Sequence, residues 1–128
     1  MAESQIAVKR WCRKADNDLR TATTMIAEPD PPTDTVCFHA QQCFEKCLKA
    51  FLTAKDINVP RSHDLTRLVT ICGEIEPGFL RWMEAARDLT DYAVEARYPD
   101  DWREIPLEEA AEALSLARGF REYVLGIL

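Results

Sequence analysis

The chain has 128 residues, 47 % of them hydrophobic, and a formal net charge of −6. That is enough apolar material for one core in a single domain spanning residues 1–128, and too acidic a balance for sequence-independent binding to nucleic acid. No run approaches the ~18–20 apolar residues of a membrane span. The opening stretch MAESQIAVKRWCRKADNDL has no apolar core of a signal peptide, so a cytoplasmic address with no membrane partner is expected.

The four glycines are few and the seven prolines fall between periodic segments, a pattern of long helices and short connections. The first helix is expected from about Glu3 to Ala27. Val8, Trp11, Cys12, Ala15, Leu19, Ala22 and Ile26 recur there at three- and four-residue spacing, with Lys9, Arg10, Arg13 and Lys14 on the opposite side. Glu28-Pro-Asp-Pro-Pro32 ends it.

Thr33 or Asp34 is expected to cap a second helix reaching Ala54. Its core arc includes Val36, Ala40, Phe44, Leu48 and Phe51, and a polar side carries His39, Gln42, Lys46 and Lys49. Phe38, Glu45 and Leu52 form a third side where solvent is expected, and a helix with two apolar sides packs on two neighbours, or on one neighbour and a partner chain. After Asn58-Val-Pro-Arg-Ser62, a third helix is expected from His63 to about Glu74, with Ser62 as its cap. Gly73, Pro77 and Gly78 break the chain next. A fourth helix should run from about Phe79 to Glu95, and a fifth from Pro106 to near Leu128. The fold class is therefore all-α, an up-and-down antiparallel bundle of about five helices.

The Walker A, dinucleotide-binding, H-E-x-x-H and G-x-S-x-G signatures are all absent. No cofactor is implied. The five cysteines, Cys12, Cys37, Cys43, Cys47 and Cys72, include no C-x-x-C pair and read as buried free thiols. Cys43 and Cys47 stand four apart and could ligate a metal, but the helix's core arc accommodates both equally well, and no metal requirement is expected.

Three constellations carry functional groups. His39, Gln42 and Lys46 place an imidazole, an amide and an ammonium along one helix face, a set that can donate to a phosphate or a nucleobase or simply meet the neighbouring helix. Ser62-His63-Asp64 has the residue types of a triad, but neighbours on one turn point apart, so helix capping by Ser62 or Asp64 is the simpler role. Asp91, Tyr92, Arg97 and Tyr98 lie at a helix end and the following turn. They could grip a phosphate and stack on a base, or cap and pack on the bundle.

The strings FHAQQCFEKCLKAFL, SHDLTRL and DYAVEARYPDDW, preceded by Trp11, Ala15, Asp18 and Leu19 in W-x3-A-x2-DL spacing, resemble the HEPN family in order and separation. The resemblance implies a helical bundle that forms a homodimer and pairs with a small nucleotidyltransferase in toxin–antitoxin systems. Many members are metal-independent ribonucleases whose motif is an Arg followed four to six residues later by a His. Here no His follows His63, and Arg61 is too close to it. The Arg97-Tyr98-Pro99 turn resembles that of members without the motif, for which nucleotide binding or a partner role is implied. The expectation is a dimeric, non-nuclease binding module that contacts nucleotide or partner through His39, Gln42, Lys46, Asp91, Tyr92, Arg97 and Tyr98. An RNA-cleaving toxin with a divergent site is the alternative.

Overall fold

The structure, a computed structural model, describes residues 2–93 and 102–128. Five α-helices build it: α1 Ala2–Ile26, α2 Thr33–Ala54, α3 Leu65–Ile75, α4 Met83–Thr90 and α5 Leu107–Ile127. Among the described residues there is no strand. The helix α2 is the axis of the molecule, packing on α1, α5 and α3. It supplies Phe44, Leu48 and Phe51 to the core. Phe44 stacks on Phe120 of α5 with ring centroids 3.8 Å apart, and the rings of Phe79 and Trp82 meet Phe120 edge-on.

The bounds of α1, α2 and α5 follow the apolar spacing. The cap expected for α2 is not formed, while α3 is capped by one of its two candidates. At the start of α2, Thr33 Oγ1 donates to the Ile105 carbonyl at 2.8 Å, tying the helix to the approach of α5. Asp34 accepts from the next N–H, that of Thr35. Neither caps the helix, which begins after Pro32 with no side-chain cap. At the other end Ile57 N–H bonds to the Leu52 carbonyl and Asp56 N–H to that of Thr53, while Asp56 adopts φ 56°. This is a Schellman closure with aspartate in the left-handed position, which Asp tolerates better than most residues.

Asp64 rather than Ser62 is the N-cap of α3, accepting from Thr66 N–H at 3.0 Å. Ser62 Oγ accepts in turn from Asp64 N–H at 3.1 Å. Gly73 does not break the chain but lies buried inside α3, where a Cβ would come within 2.6 Å of the Leu80 side chain.

The expected fourth helix divides. Pro77–Trp82 is a 3-10 segment, α4 covers only Met83–Thr90, and Asp91–Ala93 is again 3-10. Three residues per turn put Phe79 and Trp82 on one side, where both reach Phe120. The Glu76 carboxylate accepts Gly78 N–H at the start of the tight segment.

A second correction concerns α2. Leu52 and Glu45, placed toward solvent by the helical wheel, are both buried. The loop before α3, and α3 itself, cover that side. Of the apolar pair that suggested a second neighbour or a partner chain, only Phe38 stays half-exposed, its ring edge-on to His39 at 5.3 Å.

Candidate functional site

Two carboxylates organise the polar side of α2. The first is Asp18 of α1, itself buried. One of its oxygens accepts from His39 Nδ1 at 2.8 Å and the other from Lys46 Nζ at 2.5 Å. A carboxylate only accepts, so the proton of His39 sits on Nδ1. The spacing of seven residues between His39 and Lys46 brings both to one face of α2, and α1 passes that face with Asp18. Of the two readings open to this face, His39 and Lys46 take the second: they meet the neighbouring helix and join α1 to α2. Gln42 lies between them and donates to Gln41 Oε1 at 2.7 Å.

The second carboxylate is Glu45 of α2, with 4 % of its side chain exposed. Lys49, one turn on, donates to Oε2 at 2.9 Å. His63, in the loop before α3, meets Oε1 through Nδ1 at 2.8 Å. Gln41 adds a longer bond to Oε1 and one to the His63 carbonyl, each 3.3 Å. Lys49 also lies over the Trp11 ring, 5.7 Å from its centroid. Asp18, Glu45 and Lys49 are site residues that sequence reasoning missed. The i,i+4 spacing of Glu45 and Lys49 was a readable signal, whereas the pairings of Asp18 and His63 across the fold had none.

Tyr92, on the 3-10 segment after α4, donates its hydroxyl to Glu109 in the first turn of α5. Arg103 donates to both oxygens of the same carboxylate, at 3.0 and 2.6 Å. Arg103 holds the Glu109 carboxyl below its usual range. Burial, then the bond to Glu109, pushes the Tyr92 phenol well above its own. Cys37 lies beside this cluster, and burial followed by the Glu109 charge raises its thiol to about 11. These groups latch the end of α4 to the start of α5. No hydrogen bond among the described residues joins Tyr92 to His39, Gln42 or Lys46. Asp91 lies next to Tyr92 and is exposed. Arg97 and Tyr98 fall outside the described residues.

Four cysteines are buried and Cys12 is half-buried, all as free thiols. Cys43 and Cys47 face each other one turn apart, and the contact with Cys43 together with burial holds the Cys47 thiol far above its usual range. Among the described residues no group of three His, Cys, Asp or Glu is placed to hold a metal ion. No described helix is long and apolar enough to cross a membrane.

A central helix sandwiched by α1 and α5, with acid–base pairs buried along its polar side, defines an all-α bundle built around one long hairpin. The HEPN domain profile matches residues 8–127, and the chain belongs to the HEPN family. It is similar to TT1696 from Thermus thermophilus, with 30 % identity, a TM-score of 0.77 and coverage of 94 % of this chain and 98 % of that one. It is also similar to ST0689, an archaeal HEPN homologue, with 26 % identity, a TM-score of 0.74 and coverage of 93 % and 95 %. No curated protein sequence gives a significant match.

Proposed function

We propose that the chain is a HEPN binding module without ribonuclease activity, which forms a dimer and pairs with a small nucleotidyltransferase. In this reading a nucleotide contacts Gln42 and, from sequence alone, the Arg97-Tyr98 turn. One observation carries the non-nuclease part: the chain's two histidines are His39 and His63, and no arginine stands four to six residues before either of them. RNA cleavage by acid–base chemistry needs one group to take the 2′-hydroxyl proton and another to stabilise the leaving oxygen. In relatives with the motif, an Arg-to-His spacing supplies both, and here no His follows His63. Gln42, half-exposed and among the described residues bonded to the neutral amide of Gln41, keeps donor and acceptor capacity for a base edge.

A second reading, RNA cleavage at a divergent site, rests on His63. Glu45 fixes its Nδ1 while 70 % of the side chain is exposed, an orientation that suits Nε2 for general-base work. Incubation with a mixed RNA pool separates the two. The binding-module reading expects no cleavage by the wild type, and co-elution with the nucleotidyltransferase of a neighbouring gene. Cleavage that the wild type shows and His39→Ala or His63→Ala abolishes would replace it with the second.

A further inference from the structure

A groove runs between α4 and α5, formed by two adjoining hollows of about 490 and 310 Å³. Its apolar lining includes Trp82, Leu89 and Leu116, and its acidic lining includes Glu84, Asp88 and Glu112; Arg81 also lines it, with its guanidinium turned over the Tyr123 ring 5.4 Å away. None of these three carboxylates makes a hydrogen bond or ion pair among the described residues, although all three stand in one open trough. Glu109, at one end, is already held by Arg103 and Tyr92.

The outer face of α1 has the opposite character. Lys9, Arg10, Arg13, Lys14 and Arg20 are exposed and enter no ion pair among the described residues. The two carboxylates in the same stretch are turned away, Asp16 to Arg121 and Asp18 to His39 and Lys46. Ile6 is 50 % exposed and shares a face with Arg10 and Arg13 by its i, i+4, i+7 spacing. Clustered charges of one sign repel one another. An acid-lined trough with an apolar floor relieves that repulsion and covers Ile6.

We infer that the α4–α5 groove receives the basic face of α1 from a second copy of this chain. The inference rests on the dimeric reading above and gives it an interface. Ile6 meets the apolar floor, and the α1 cations meet Glu84, Asp88 and Glu112. Helix and groove are different surfaces, so in a twofold pair each copy gives one contact and receives one.

The test is charge reversal in the full-length chain, followed by light scattering and sedimentation. Arg10→Glu with Arg13→Glu should weaken self-association about tenfold or more, and so should Glu84→Lys with Asp88→Lys. All four changes in one chain should restore it to within about threefold, since the pairs are then reversed but complementary. Wild-type association should also weaken as salt rises from about 50 to about 500 mM. The positions are exposed, and circular dichroism melts confirm that each variant folds. A dimer indifferent to both reversals overturns this interface while leaving the dimeric reading intact. A wild type that is monomeric at tens of micromolar removes both. A monomeric wild type whose groove variant loses the nucleotidyltransferase assigns the groove to that partner and overturns the inference.

Discussion

Asp18 and Glu45 share their charged partners in kind: each accepts from one lysine and from Nδ1 of one histidine, and Glu45 adds a longer bond from Gln41. What differs is what the carboxylate joins. Asp18 belongs to α1 and both its partners belong to α2, so that cluster joins two long helices. Glu45 and Lys49 lie on one helix, and only His63 and the Gln41 bond to the His63 carbonyl reach away, so that cluster anchors a loop. Burial differs in the same sense. Glu45 and Lys49 are almost completely enclosed, while His63 projects with 70 % of its side chain exposed, against 23 % for His39. A carboxylate buried with its lysine on the same helix is a fixed cost of that helix's surroundings. One shared between helices holds a pair of elements in register.

Removing each carboxylate tests that distinction. Glu45→Ala leaves Lys49 buried without its anion, and loss of one partner from a buried pair costs roughly 3–5 kcal/mol. A destabilisation of about 3 kcal/mol by urea denaturation is expected, at the lower end because the freed loop allows some water to reach Lys49. Asp18→Ala takes the acceptor away from the Lys46 ammonium and the His39 N–H, both partly exposed and able to find water, so about 2 kcal/mol is expected. If Asp18→Ala proves the more costly, burial does not rank the two clusters, and holding the helices in register contributes more than enclosing the charge.

The loop end of the Glu45 cluster offers a gentler probe. Asp64 caps α3, and its bonds from Thr66, side chain first, lower its carboxyl below the ordinary value. A lowered folded pKa contributes stability that is present above the unfolded value, near 3.8, and is lost as pH falls through the folded one. Asp64→Ala should therefore cost about 1 kcal/mol at neutral pH, and the cost should shrink below about pH 4. An unchanged cost at pH 3 would show that the carboxylate charge is not what caps the helix.

How much of this was legible in the sequence depended on the range of the interaction. The 3.6-residue period marked α1, α2 and α5 because each has one continuous apolar stripe. The segment after α3 departed from expectation because Pro77 and Gly78 open a 3-10 turn that the packing of Phe79 and Trp82 on Phe120 favours, and no helical wheel anticipates a change of period. His39 and Lys46 do share one face of α2, but their direction was not readable because Asp18 stands 21 and 28 residues away. Glu45 and Leu52 were expected in solvent because a single-helix pattern cannot show that a loop and α3 lie across that side.

The smallest expected effect separates the two histidines. Both imidazoles offer Nδ1 to a carboxylate at 2.8 Å, so bond length alone would rank them equal. Their surroundings do not. His39 is largely enclosed between α1 and α2, and His39→Ala removes a packed ring as well as one of two hydrogen bonds to Asp18, which should cost about 1–2 kcal/mol. His63 is mostly in water, and its carboxylate keeps Lys49 and Gln41 after the ring is gone. The ring lies in water and the buried Glu45 keeps its other donors, so this one bond contributes roughly 0–1 kcal/mol, and His63→Ala should change stability by less than about 0.5 kcal/mol. Equal costs for the two variants would mean that His63 does more to hold the loop than its exposure implies, and would make the ring a structural anchor. A near-silent His63→Ala, with His39→Ala clearly destabilised, would mean that Glu45 and Lys49 support each other without it. His63 would then be an imidazole oriented by Glu45 and not required by the fold, and therefore the histidine to watch in the RNA assay.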